Sequence, residues 1–90
     1  MTPKLSGSQL RAARALLRWS AIDLANASKV GVATIRRVEI LDGEITATSA
    51  NNAALRRALE SAGVEFIDEN GGGAGVRLRK PSGKSRGAPK

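Results

Sequence analysis

The 90-residue sequence contains no cysteine, no histidine and no tyrosine. Without cysteine there can be no disulfide or thiolate metal site, and without histidine the commonest general base and metal ligand at neutral pH is missing. A serine nucleophile would therefore lack its usual imidazole partner. We expect that the chain is not an enzyme and uses no cofactor.

Long apolar runs and acidic residues are also scarce. The N-terminal stretch MTPKLSGSQL has no signal-peptide core, and no run of about 18 apolar residues is present, which predicts a cytoplasmic protein without a membrane partner. Eight acidic residues stand against fifteen Lys and Arg, for a net charge of +7 and a pI of about 11.2. This balance favours nucleic acid or another polyanion as the partner.

Four segments carry apolar residues at helical spacing, which predicts a mainly α-helical chain. The first helix is predicted over Gln9–Arg18, with Ser8 as its N-cap because a serine hydroxyl can accept from a first-turn amide. A short second helix follows Ser20, whose spacing to Asp23 resembles a capping box. The third helix is VATIRRVE, and the fourth lies in SANNAALRRALESAG and stops at Gly63.

After the fourth helix the period changes from helix to strand. VEFID and VRLRK alternate apolar and charged residues around ENGGGAG, which predicts a β-hairpin with Glu65 near Arg79. An isolated hairpin is marginal in water, so one face should cover the helices while a strand edge pairs with a second copy. The alternative is a hairpin that only covers its own core. The residues assigned to dimerisation are Val64, Phe66, Val76 and Leu78.

The segment GVATIRRVE surrounds two large apolar side chains with Thr34, Arg36 and Arg37. Two short helices joined by about four residues, the second with small, hydroxylic and basic side chains, are typical of a helix-turn-helix. The second helix of such a motif enters a major groove roughly 12 Å wide. An ordinary amphipathic helix that keeps its arginines in water explains the segment equally well.

The stretch LRAARALLRWSAIDLANASKVGVATIRRVEILDG resembles the helix-turn-helix of the Xre/Cro/CI family of phage and bacterial transcriptional regulators. The continuation LRRALESAGVEFIDENGGGAGVRLRK is similar to the tail of many small proteobacterial members. The matching positions are Leu10, Arg14, Ser20, Leu24, Ala25, Val30, Thr34, Ile35, Arg37, Glu39 and Gly43.

The resemblance implies a lambda-repressor-like domain of four to five helices at 8–63, followed by the β-hairpin at 64–80. A flexible N-terminus at 1–7 precedes the domain. The composition of PSGKSRGAPK predicts a disordered basic tail at 81–90.

The resemblance also implies residue roles. Arg14 would form a structural ion pair with Glu39, which ties the first helix to the end of the third. Three positions depart from the family pattern: Lys29 and Gly31 replace a turn glycine and a hydroxylic N-cap, and Ala21 replaces a phosphate-binding glutamine. A left-handed lysine costs of order 1 kcal/mol. The implied DNA-binding residues are Ser20, Ala21, Val32, Ala33, Thr34, Arg36 and Arg37.

The function that this pattern implies is sequence-specific DNA binding by a transcriptional regulator. We expect a homodimeric repressor or autorepressor that binds a palindromic operator in double-stranded DNA through the third helix and is nucleoid-associated when bound. The alternatives are an antitoxin component and a protein-binding anti-regulator, each with an unidentified protein partner.

Overall fold

The computed structural model describes residues 5–41, 48–68 and 71–79. Within these ranges the chain is mainly helical and ends in an antiparallel hairpin, as the sequence predicted, and no helix is long and apolar enough to cross a membrane. The tail at 81–90 lies outside the described residues. The elements are α1 (Gly7–Leu17), α2 (Ala21–Ser28), α3 (Val32–Leu41), α4 (Ser49–Ser61), β1 (Val64–Ile67) and β2 (Gly75–Leu78).

Helix α1 begins two residues earlier than predicted. Its N-cap is Ser6 and not Ser8, because Ser6 Oγ accepts from the Gln9 amide at 3.1 Å while Gln9 Oε1 accepts from the Ser6 amide at 3.0 Å. This reciprocal capping box satisfies two backbone donors, which a cap at Ser8 could not match. Leu5 is only 1% exposed and its amide donates to Asn52 Oδ1 at 2.9 Å. The predicted flexible N-terminus is therefore wrong from Leu5 onward.

Helix α2 begins as predicted. Ser20 Oγ accepts from the Asp23 amide at 3.0 Å, and Asp23 Oδ2 accepts from the Ser20 amide at 2.9 Å. The helix ends at Ser28, and its C-cap Lys29 takes the left-handed conformation with φ 66° and ψ 20°. This conformation costs a residue with a side chain roughly 1–2 kcal/mol. The Gly31 carbonyl then accepts the first hydrogen bonds of α3, so this glycine occupies the N-cap position.

Helix α4 begins at its cap Thr48, whose hydroxyl accepts from the Asn51 amide at 3.1 Å. The predicted stop is confirmed, because Gly63 has a φ of 110°. Few residues other than glycine adopt this backbone conformation. The chain turns there directly into β1.

The hairpin pairs Glu65 with Arg77 and not with Arg79. Arg77 Nε lies 3.1 Å from Glu65 Oε1, and this bond lowers the pKa of Glu65 and raises that of Arg77. Arg79 instead donates its amide to the Gly63 carbonyl at 2.7 Å and its guanidinium to the Glu60 carbonyl. The predicted register was wrong by two residues. A shift of two keeps every side chain on the same face, so alternation alone cannot detect it.

The hydrophobic core lies between the four helices and the inner face of the hairpin. Helix α1 contacts α3 and both strands, and α4 contacts α2 and β1. Val64 is fully buried and Phe66 is 8% exposed, so both side chains belong to the core of their own chain. The assignment of these two side chains to a dimer interface is therefore wrong, while Val76 and Leu78 are half-buried. The buried apolar residues are Leu5, Leu10, Ala13, Ala21, Leu24, Val30, Ile35, Val38, Leu55, Leu59, Val64 and Phe66.

Gly7 lies at a close approach between α1 and α3. A Cβ at this position would be 2.6 Å from the Val38 carbonyl oxygen and 2.9 Å from the Glu39 carbonyl oxygen. Both atoms belong to a helical backbone, which cannot move aside as a flexible side chain can. The absence of a side chain at Gly7 therefore lets the start of α1 reach the end of α3.

We expect Gly7→Ala to lower the free energy of unfolding by about 1–3 kcal/mol, the usual cost of overpacking. Urea unfolding followed by circular dichroism measures this. The control is Gly73→Ala, because a Cβ at Gly73 meets nothing within 4 Å. Equal midpoints for the two variants would contradict the close approach of α1 and α3.

Candidate nucleic-acid interface

The predicted ion pair between Arg14 and Glu39 is present. Arg14 Nε donates to Glu39 Oε2 at 2.9 Å, and Arg14 Nη2 donates to Glu39 Oε1 at 2.8 Å. A third donor, Arg14 Nη1, reaches the Trp19 carbonyl at 3.0 Å. The side chain of Glu39 is 8% exposed and that of Arg14 is 21% exposed. The bond to Glu39 raises the pKa of Arg14 above its ordinary value, so the guanidinium stays charged.

A second arginine of α1 also holds the end of α3. Arg11 Nη1 donates to the Glu39 carbonyl, and Arg11 Nη2 donates to Ser8 Oγ at 3.3 Å. The sequence analysis missed this role of Arg11. Its signal was the three-residue spacing to Arg14, which places both arginines on neighbouring positions of one helix surface. Together these contacts set the orientation of α3 relative to α1.

Helix α3 has one buried and one solvent-exposed side. The buried side consists of Ile35, Val38 and Glu39, with Val32 half-buried beside them. The exposed side carries four residues at i, i+3, i+4 and i+7, the spacing that aligns side chains along one helix face. We call this set the outer face: it consists of Ala33, Arg36, Arg37 and Ile40.

The outer-face arginines form no ion pair with any carboxylate in the described ranges. Four of the carboxylates there are already paired: Glu39 with Arg14, Glu60 and Asp68 with Arg56, and Glu65 with Arg77. Asp23 caps α2. The positive charge of Arg36 and Arg37 is therefore not neutralised by any described carboxylate.

The predicted DNA-binding residues of α3 are not equally accessible. Ala33, Arg36 and Arg37 lie together on the outer face. Val32 is half-buried and packs against the core, and Thr34 is half-buried as well. The DNA-binding role implied for Val32 is therefore less well supported than that of Ala33, Arg36 and Arg37, because part of its side chain packs inside the chain.

The two predicted DNA-binding residues at the start of α2, its N-cap Ser20 and Ala21, differ more strongly in solvent exposure. Ser20 is exposed, although its hydroxyl accepts the Asp23 amide. Ala21 is 9% exposed and belongs to the core cluster, so its side chain cannot contact DNA. The Ser20 hydroxyl keeps its own proton as a donor, and it and the first-turn backbone amides could donate to a phosphate.

Ile40 is the outer-face residue that the sequence analysis missed. It is 79% exposed, although it is a large apolar side chain. The signal for it was positional, since Ile40 follows Ala33 by seven residues and Arg37 by three. An apolar side chain such as that of Ile40 is normally expected in the core. Only the burial of Ile35 and Val38 shows which side of α3 faces inward.

No other chemistry is visible in the described part of the chain. Among its side chains, no cluster of three or more Asp and Glu residues could hold a metal ion. No protein-family model matches the chain, and no curated protein is significantly similar to it. The geometry and charge of α1, α2 and α3 are therefore the basis for a functional assignment.

We expect Glu39→Gln to lower the free energy of unfolding by about 2–3 kcal/mol, because it leaves the partly buried Arg14 without a charged partner. Urea unfolding measures the change. Glu65→Gln is the matched control: it removes a carboxylate from the exposed pair with Arg77, which solvent already screens. If both variants shifted the midpoint equally, Glu39 would have no special structural role.

Proposed function

We propose that the protein is a sequence-specific DNA-binding transcriptional regulator in which α2 and α3 form a lambda-repressor-like helix-turn-helix. The observation that carries the proposal is the outer face of α3. It presents Arg36 and Arg37, without a described carboxylate partner, on a helix that Arg14 holds in place through Glu39. A helix with its side chains is about 10–12 Å across and fits a major groove roughly 12 Å wide.

The link between the two helices supports this proposal. Only the three residues at 29–31 separate α2 from α3, and the two helices contact each other. In this arrangement α2 braces α3, and the first-turn amides of α2, next to Ser20, would face the phosphate backbone. The resemblance of the sequence to the Xre/Cro/CI family implies the same arrangement.

We expect the double variant Arg36→Ala/Arg37→Ala to bind its DNA site at least tenfold more weakly, since a specific arginine contact contributes roughly 1–3 kcal/mol. Fluorescence anisotropy on the DNA upstream of its own gene and on a scrambled duplex, at two salt concentrations, measures affinity and specificity. Circular dichroism verifies that the variant folds.

The matched control is Arg77→Ala/Arg79→Ala, which removes the same charge from the hairpin. Loss of discrimination between the two duplexes in the α3 variant alone supports the proposal. An equal decrease in DNA affinity in both variants would mean that the protein binds DNA only by nonspecific electrostatic attraction. Undiminished specificity in the α3 variant would contradict DNA reading by α3.

A palindromic operator requires two copies of the chain, and we propose that the edge of β2 joins them. The bond from the Arg79 amide to the Gly63 carbonyl shows which cross-strand pairs are hydrogen-bonded. By alternation, the backbone groups of Val76 and Leu78 point away from β1. Val64 is fully buried on the other strand, so its backbone edge is covered as well. We therefore choose the outward edge of β2, at Val76 and Leu78, as the candidate for strand addition.

We expect Val76→Pro to convert a dimer into a folded monomer, because proline removes an outward amide that the hairpin ladder does not use. Val76→Ala is the matched control: it loses the same packing but keeps the amide, and should remain dimeric. Analytical ultracentrifugation measures the mass. A dimeric Val76→Pro protein would place the dimer interface elsewhere.

One observation favours the alternative, a protein-binding anti-regulator or antitoxin component. Ile40 and Leu41 at the end of α3 are 79% and 46% exposed, and adjacent apolar side chains of this kind suit a protein interface. In that case the Arg36→Ala/Arg37→Ala variant would keep its biological activity.

A further inference from the structure

The outer face of α3 has an unusual chemical composition for a surface that reads DNA. It combines two arginines with two apolar residues and carries no amide, carboxylate or hydroxyl group. Adenine is read by the amides of Asn and Gln, and cytosine by the carboxylates of Asp and Glu. The outer face can make neither contact. It can donate to O6 and N7 of guanine and can make apolar contacts with the C5-methyl group of thymine.

The spacing of the outer face determines where these contacts fall. Ala33 and Ile40 are seven residues apart, about 10 Å along the helix axis, with both arginines between them. Zinc-finger helices whose contact residues span seven positions read about three successive bases. A face of this length therefore covers about three base pairs, with the arginines at the centre and an apolar side chain at each end.

Ile40 is positioned firmly enough to take part in this reading. The preceding residue, Glu39, is held by Arg14 through its carboxylate and by Arg11 through its carbonyl. Isoleucine has one strongly preferred χ1 rotamer in a helix, so little side-chain entropy is lost on contact. Its 79% exposure leaves a large apolar area to be covered when α3 enters a groove.

We infer that Ile40 is a specificity-determining residue that contacts a thymine methyl group at one end of the DNA half-site, beside guanine read by Arg36 and Arg37. Ala33 faces the opposite end, where its methyl group suits a second thymine. This inference rests on the proposed DNA-binding function and adds the base composition of the site: guanine at the centre and thymine at the ends.

The test begins with selection of binding sites from a pool of random duplexes by the full-length protein. In the selected site, each thymine is replaced in turn by deoxyuridine, which removes only the C5-methyl group. One such replacement should weaken binding of the unmodified protein about three- to tenfold, the range expected for one methyl contact. The Ile40→Ala substitution should weaken DNA binding by a similar factor. DNA binding by this variant should not change further when that thymine is replaced by deoxyuridine.

Leu41→Ala is the control, because Leu41 is an exposed apolar neighbour that lies off the outer face. It should respond to deoxyuridine as the unmodified protein does. Replacement of guanine by 7-deazaguanine, which lacks N7, should weaken DNA binding by the unmodified protein. It should not further weaken DNA binding by the Arg36→Ala/Arg37→Ala variant. Ile40 is exposed and alanine favours helix, so Ile40→Ala should remain folded.

The outcomes separate this inference from the function on which it rests. Suppose that one site is enriched while deoxyuridine weakens DNA binding by the unmodified protein and by Ile40→Ala equally. That result would refute the role inferred for Ile40 and would leave the DNA-binding function standing. If Ile40→Ala binds DNA normally, the inference fails and Ile40 remains as a surface for a protein partner. If no site is enriched over random duplexes, sequence-specific DNA binding fails, and the inference with it.

Discussion

The buried carboxylate of Glu39 joins the first and third helices, and the position of the outer face depends on it. Arg14 binds both carboxylate oxygens, and Arg11 binds the carbonyl of the same residue. The helices approach closely only because Gly7 has no side chain to meet the backbone of α3. A buried carboxylate is tolerated when its charge and hydrogen bonds are satisfied, so these contacts act together. They fix one side of α3 inward and thereby determine which residues face solvent.

The charge of the protein is divided between structural and available cations. Three arginines form ion pairs with four carboxylates: Arg14 with Glu39, Arg56 with Glu60 and Asp68, and Arg77 with Glu65. Within the described ranges, the arginines of the outer face form no ion pair with a carboxylate. A net charge of +7 says only that a polyanion is a suitable partner. Arg36 and Arg37 have no carboxylate partner among the described residues, so two neighbouring cations are left on the exposed side of α3.

The short connections between helices come at a cost in backbone strain. Arg18 and Lys29 both have positive φ, 59° and 66°, at the ends of α1 and α2. Reciprocal capping at Ser6 and Ser20 offsets part of that cost, because each cap satisfies two backbone donors. The hairpin completes this small core with Val64 and Phe66. Those two side chains are therefore used inside the chain.

The sequence alone was sufficient for features that depend on local spacing. These are the four helices, the hairpin and the cap at Ser20, and the resemblance supplied the pair of Arg14 with Glu39. Tertiary structure decided the choices that local patterns leave equivalent. A hairpin shifted by two residues keeps the same alternation, so only strand pairing places Glu65 opposite Arg77. The same holds for the burial of Ala21 and the exposure of Ile40, because the side of a helix that faces inward is set by contacts with residues distant in the chain.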